Sequence, residues 1–360
     1  MLIIRPVAEP DLDPLADLVA LTRGAITTLP PDRKLLSKRL RQSLAAFADP
    51  KERPGGEMYT FILEDTRRKG TLLGTASVVS KTGGFEPFYY YEVHNETYAS
   101  DVLNVSKEVR SLHLIEDHNG PAEVGGLFLR PGVRGGGFGR MLGVARMLFM
   151  AGRPQSFEQR VVAEVRGVTD EDGNSPFWNA VGRHFFGVDF ATADAMSFKE
   201  KQIIADLMPD HPIYIDMLPK SGRDVIGVEH DFATPARKLL ESEGFSYRNR
   251  VDIFDAGPML ECELSKIRGV AESKVATVTK LIDADDERAD SMVSNDSLAF
   301  RACPAVVREE GEGVTLSEKA ASAIGVGVGD TVRHAALRPS APSRSDEVDL
   351  YASIPLPRES

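Results

Sequence analysis

The sequence predicts an α+β fold, with a mixed, antiparallel-rich sheet over residues 1–264 and a small β-barrel over residues 265–360. Three observations carry this. Apolar segments follow in the order β-α-α-β-β-β-β-α-β-α-α-α-β-β, which is a layered arrangement and not a run of βαβ repeats. A single glycine-rich loop, Arg134 to Gly139, stands between an apolar strand and an apolar helix. Beyond about Ser265, short strand candidates alternate with Gly-rich turns, the pattern of a small barrel.

Leu2 to Pro6 reads as a strand, and Asp11-Leu12-Asp13 supplies a cap before the helical spacing of Leu15, Leu18, Val19 and Leu21. Pro30-Pro31-Asp32 opens a second helix with Leu35, Leu36, Leu40 and Leu44 on one face. Tyr59 to Glu64 and Leu72 to Ser80 form a hairpin across the charged turn Asp65 to Gly70. Strands are expected at Phe88 to Val93 and at Ser111 to Asp117, the latter running into the turn His118-Asn119-Gly120. After the glycine loop come a strand, Val161 to Arg166, and a helix from Ser175-Pro176 to about Phe185. Lys201 to Met208 is helical until Pro212 forces an exit, and Thr234-Pro235 opens a helix that stops at Gly244. Phe245 to Phe254 and Met259 to Leu264 close the first region as strands. In the second, Lys274 to Ile282, Ala305 to Arg308, Gly313 to Leu316 and Thr331 to Leu337 read as strands. Asp283 to Asp296 is acidic and poor in apolar residues, and Ser317 caps a helix to Ile324.

Composition sets the class. With 360 residues, 42% hydrophobic and 27% charged, the chain is an ordinary globular protein large enough for two domains. No apolar run reaches the roughly 20 residues that span a bilayer, and the N-terminus turns acidic too early for a signal peptide, so a cytoplasmic location without membrane partners is expected. A net charge of −11 argues against nucleic acid, which needs clustered Lys and Arg, and suits a cationic substrate or simply a solvated acidic surface. Cys262 and Cys303 are the only cysteines and lack the C-x-x-C spacing of a zinc site, so two reduced thiols and no metal are expected.

The loop Arg134-Gly135-Gly136-Gly137-Phe138-Gly139 has the R-x-x-G-x-G form. Glycines let a backbone approach a ligand closely, and the N–H groups of a helix start face a pyrophosphate favourably. The dinucleotide fingerprint wants its glycines directly after a strand, whereas Arg130, Pro131 and Arg134 intervene here. With the apolar helix that follows, the loop resembles the acyl-CoA pyrophosphate loop of the GNAT acyltransferases. Arg134, Gly135, Gly137 and Gly139 are its candidate contacts.

Further blocks resemble the bacterial arginine N-succinyltransferases, members of that superfamily. They are IIRPV at 3–7, Thr27-Thr28-Leu29-Pro30, Val105-Ser106-Lys107-Glu108, Asp117-His118, Leu127-Phe128-Leu129, VVAEVRGV at 161–168, SPFWNAVGRHFF at 175–186, LMPDHPIY at 207–214, DVIGVEH at 224–230, GFSYRNRVDIFDAGP at 244–258 and Glu261. The resemblance covers residues 1 to about 264 and is weak beyond. It implies a GNAT-like fold and transfer of succinyl from succinyl-CoA to the α-amine of L-arginine, the first step of arginine breakdown through succinylated intermediates. It also implies Leu127 as a succinyl-CoA contact, His230 as proton donor, no tightly bound cofactor, and a homo-oligomer or a heteromer with a related chain. Two departures stand out: Arg23-Gly24-Ala25-Ile26 replaces a glycine-rich stretch, and Arg130 replaces an acidic residue after the LFL strand.

The chemistry asks for an amine nucleophile, a proton carrier and a contact on the developing oxyanion. Leu127 offers only its main chain, whose N–H can polarise a carbonyl. His230, in Glu229-His230-Asp231, can carry protons near neutral pH, and the flanking carboxylates favour the imidazolium if they face the ring; His118 and His184 are its competitors. A substrate guanidinium wants a carboxylate, for which Glu164, Asp252 and Asp255 are candidates, and a succinyl carboxylate wants Arg166 or Arg250. Internal salt bridges explain these five equally well. Alternative readings keep the fold with ornithine or another basic amine as acceptor, or make the chain a non-catalytic acyl-CoA-binding subunit.

Overall fold

The computed structural model describes residues 1–22, 29–67, 71–197, 202–284, 286, 289–311 and 313–339. Leu2–Pro6 is β1. Leu12–Ala20 is α1, with Leu15, Leu18 and Val19 buried. Asp11 does not cap it: its carboxylate accepts Ala8 N–H at 2.7 Å and pairs with Arg5, tying the end of β1 to the helix start. Asp32 does cap α2, Arg33–Ala48, accepting Lys34 and Leu35 N–H at 2.9 and 3.0 Å. The hairpin of β2 (Met58–Asp65) and β3 (Leu72–Val79) forms as expected, with Arg68 to Gly70 of its turn outside the described residues.

β4 (Phe88–Ser100) and β5 (Val105–Asp117) extend far past their expected limits into one long hairpin. Its outer half is exposed, so no buried face marked it in the sequence. β6 (Ala122–Leu129), α3 (Phe138–Ala151) and β7 (Arg160–Glu164) follow. The expected helix from Ser175 breaks at Val181 into α4 (Pro176–Ala180) and α5 (Gly182–Phe186), and α6 (Phe190–Ser197) was not anticipated. Next come α7 (Gln202–Leu207), β8 (Ile213–Tyr214), α8 (Lys220–Arg223), α9 (Thr234–Ser242), β9 (Ser246–Val251) and β10 (Pro258–Glu263). β9 ends early because the Asp252 carboxylate takes the N–H groups of Phe254 and Asp255 and turns the chain.

The C-terminal region holds α10 (Arg268–Ala271), β11 (Lys274–Ile282), β12 (Ser291–Asn295), β13 (Ala302–Ala305), β14 (Arg308–Glu310), β15 (Gly313–Ser317), α11 (Glu318–Ile324) and β16 (Thr331–Ala336). The acidic, apolar-poor stretch contains a strand that was not anticipated, β12, whose Met292 and Val293 are fully buried. The strand expected at Ala305 to Arg308 is instead the end of β13 at Ala305, a break at Val306 and Val307, and the start of β14 at Arg308.

The strands run in the order β14-β15-β11-β16-β12-β13-β1-β2-β3-β6-β7-β10-β9-β4-β5-β8. All these pairs are antiparallel except β6–β7 and β11–β15. The architecture is therefore mixed α+β with a large, mostly antiparallel sheet. Leu142 to Met150 of α3 are buried without interruption, because the helix packs on β2, β3 and β6 and is also covered by β12, β13 and β16. No helix among the described residues is long and apolar enough to cross a membrane.

Candidate active site

Parallel strands β6 and β7 pair only at Ala122–Val161 and Glu123–Val162. Beyond that point they part. Across β3, β6 stays paired but takes an extra residue between Gly125 and Phe128, where Gly126 adopts φ 61°. Only glycine accepts that angle cheaply, and the resulting bulge re-aims the strand. Arg130 N–H donates to Leu73 O on β3 at 2.8 Å, so by alternation Leu129 turns its main-chain groups to the opposite edge, which β7 has left open, and Leu127 lies in the bulge just before it. The sequence signal for this bulge is the pair Gly125-Gly126 inside a strand.

The glycine loop follows directly from this open edge. Gly137 is the N-cap of α3 at φ 79°, without a side-chain cap, and the first backbone bond into the helix runs from Met141 N–H to Gly137 O. The N–H groups of Phe138, Gly139 and Arg140 thus lack intrahelical acceptors. Gly135 and Gly137 are exposed, and Gly139 is partly so. Arg134 folds back over the end of β6, its guanidinium 5.4 Å from the Phe128 ring centroid and its Nε 3.4 Å from Leu129 O. Arg130 is tied to β3 through Nε and Leu72 O at 3.2 Å.

On the other wall, β7 continues through Val165 to Arg166, where the His230 loop is fastened. His230 N–H donates to Arg166 O at 2.8 Å, and Gly167 bridges to Glu229. The imidazole is partly buried against the Phe232 ring at 4.1 Å, and its Nδ1 accepts Phe232 N–H at 3.2 Å. That bond fixes the neutral ring with its proton on Nε2. For Glu229 the condition that the flanking carboxylate face the ring is not met, because its carboxylate pairs with Arg237 at 2.6 Å and accepts from Thr234 Oγ1 at 3.3 Å. The glycine loop leaves the carboxyl end of β6, and the His230 loop is fastened just beyond the carboxyl end of β7, so both flank the opening between two diverging parallel strands, a usual place for a ligand crevice.

The five polar candidates separate into two groups. Arg166 pairs with Asp255 at 3.2 Å and Asp194 at 3.8 Å and lies over the Phe190 ring. Asp255 is buried and also accepts the N–H groups of Gly167 and Gly257 at 3.0 and 2.8 Å, so these residues brace the floor beneath the His230 loop. Burial, with the Asp255 charge beside it, pushes the Asp252 carboxyl well above the usual carboxylate range. Glu164 closes β7 two residues before Arg166. Arg250 belongs elsewhere: it pairs with Glu92 at 3.0 Å and Glu261 at 2.6 Å, and Glu261 lies 3.9 Å from Arg160 at the opposite end of β7. Asp194 was missed, having no periodic or motif signal. Arg146 was also missed, although a lone cation in the apolar run Leu142 to Met150 marks it out; it is 2% exposed and donates from Nη1 to Gly125 O at 3.1 Å. Of the competing histidines, His118 is exposed and pairs with Glu116, and His184 is exposed on α5.

Comparison with known proteins covers both walls of this crevice. A family model described as "Arginine N-succinyltransferase beta subunit" matches residues 2–269, and one for its C-terminal domain matches residues 274–336. The arginine N-succinyltransferase of Yersinia pseudotuberculosis serotype O:3 (strain YPIII) is 40% identical over 341 residues, covering 92% of this chain and 97% of that protein. That of Escherichia coli (strain 55989 / EAEC) is 38% identical over 337 residues, with the same coverage of 92% and 97%. Among solved structures, the arginine/ornithine succinyltransferase subunit AI from Pseudomonas aeruginosa superposes with a TM-score of 0.85 at 33% identity, covering 94% of this chain and 99% of that one. Since the matches span the glycine loop, the His230 loop and the C-terminal strands, the chain belongs to the arginine N-succinyltransferase family.

Proposed function

We propose that this protein transfers the succinyl group of succinyl-CoA to the α-amine of L-arginine by direct attack in the crevice between β6 and β7. The amine nitrogen bonds to the thioester carbon, the carbon–sulfur bond breaks, the amine gives up one proton and the sulfur gains one. The open edge of β6 supports this best. Leu129 and, in the bulge just before it, Leu127 present main-chain groups there, suited to pairing with a pantetheine arm and to polarising the thioester carbonyl. Arg134, Gly135, Gly137 and Gly139 hold the pyrophosphate at the uncapped start of α3.

His230 is the proton carrier in this reading. Its Nε2 is the nitrogen left free of the main chain, and it delivers the proton that the leaving sulfur takes up. Glu164, Asp252 and Asp255 remain the carboxylates for the guanidinium, and Arg166 the cation for the succinyl carboxylate; Arg250, held by Glu92 and Glu261 at the opposite end of β7, is set aside. Asp255 and Arg166 hold each other in the floor of the site. The same proposal includes a GNAT-like fold for residues 1–264, a small barrel for residues 265–360 around Val278, Val293, Val314 and Val332, and assembly with a second copy or a related chain. Replacing His230 with Ala should lower kcat by roughly 10²- to 10⁴-fold with CoA affinity kept. Near wild-type kcat in the folded variant would remove His230 from the mechanism, and His118 would be tested next.

A further inference from the structure

Arg146 is buried where an arginine is expensive. Its side chain sits on α3, 2% exposed, with Nε lacking any hydrogen-bond partner. Among the described residues no carboxylate lies within ion-pairing distance of it. Two carboxylates act on it from further off, Glu243 and, on β6, Glu123; Glu243 is committed to Arg268 at 2.6 Å and to Gly269 N–H at 2.9 Å. Such a cation is retained at a cost, since an apolar residue of similar volume would pack there without desolvating a charge. Its hydrogen bond goes to one place among the described residues: Nη1 donates to Gly125 O at 3.1 Å.

Gly125 is the residue at which the bulge of β6 begins, and the next residue, Gly126, is the one at φ 61°. A peptide unit is planar, so holding the Gly125 carbonyl fixes the Gly125–Gly126 plane and with it the exit direction toward Leu127. Glycine on both sides of that plane gives it the widest freedom of any dipeptide. Gly125 and Gly126 supply none of the side-chain packing that could hold it. A rigid donor from behind the strand does so instead.

We infer that Arg146 is a positioning residue, which clamps the Gly125–Gly126 peptide so that the main chain of Leu127 is aimed at the thioester carbonyl. This rests on the succinyl-transfer reading of the crevice. A misplacement of about 1 Å in such a contact can cost on the order of 100-fold in rate. The unpaired charge adds a positive potential behind the strand on which an oxyanion would develop.

The test compares Arg146→Met, which keeps volume and removes donor and charge, with Arg146→Lys, which keeps charge and loses the planar fork. Each is measured for CoA affinity, kcat, KM for succinyl-CoA, thermal midpoint and amide exchange at residues 125–128. Expected for Arg146→Met are a midpoint at or above wild type, CoA affinity within about threefold, faster exchange at Gly126 and Leu127, and kcat down about 100-fold. Arg146→Lys should recover only part of that loss. A role in stability alone would lower the midpoint and leave kcat and the local exchange of the folded fraction unchanged, which overturns the inference. If the wild-type protein releases no thiol from succinyl-CoA with arginine, the transfer reading itself fails. Unchanged exchange at Gly126 and Leu127 would sink the clamp separately.

Discussion

Gly137 offers the sharpest perturbation of the acyl-CoA site, because the structure separates its cost to the fold from its cost to the ligand. At φ 79° it lies in the left-handed region, where a side chain costs about 1–2 kcal/mol of backbone energy. A Cβ built there meets no atom within 4 Å, so Gly137→Val adds no steric clash within the chain. The new side chain stands at the N-cap itself, beside the uncapped N–H groups of α3. Loss of a single charge-assisted hydrogen bond to a phosphate is worth about 1.5–3 kcal/mol, which is roughly 10- to 150-fold in CoA affinity. Gly173 provides the control: it has φ 80° and equally open surroundings on another loop, so Gly173→Val carries the same strain at no cost to the ligand. Calorimetric titration of CoA into both variants decides the matter. Wild-type CoA affinity in a folded Gly137→Val protein would refute the loop's role, and an equal loss in both variants would assign the effect to strain.

Stability should respond at two other places. Burial pushes the Asp194 carboxyl up to about 6, opposed by Arg166 and helped by Asp255. Its folded pKa exceeds the unfolded value near 3.9, so the contribution is full below about pH 4 and is lost as pH rises through about 6. Asp194→Asn should therefore gain about 2–3 kcal/mol relative to wild type between pH 4 and pH 8 in urea unfolding, and an identical difference at both pH values would contradict this. Glu243 is fully buried and takes Arg268 Nη2 at 2.6 Å, while Arg268 also reaches Ala336 O at 3.0 Å. Glu243→Gln should cost about 3–5 kcal/mol in the same assay, and a loss below about 1 kcal/mol would show that the pair does not fasten the C-terminal strands.

Much of the scaffold was legible because burial on one face leaves a period. The α2 face of Leu36 and Leu40, the strand Leu2–Pro6 and the Ser317 cap are local patterns, and all three form as read. The outer hairpin of β4 and β5 was not legible, since a strand solvated on both faces has no apolar alternation to display. β12 was hidden for another reason: its buried core is only Met292, Val293 and Ser294, set in an acidic neighbourhood. Within the site, glycine spacing announced the loop, but not the bulge at Gly126 that opens the strand beside it. Alternation placed Arg166 and Asp255 near the crevice without revealing that they hold each other, because the partner of a charge is set by tertiary contact. The departure at Arg23 to Ile26 lies outside the described residues.

The central claim, succinyl transfer to arginine in the β6–β7 crevice, is tested most directly by thiol release from succinyl-CoA across L-arginine, L-ornithine and L-lysine at equal concentration, with the acylated product identified by mass. The account predicts the highest kcat/KM with arginine and a product carrying succinyl on the α-amine. Equal or faster turnover of ornithine or lysine would contradict the acceptor assignment, and no thiol release with any of the three would contradict the transfer itself.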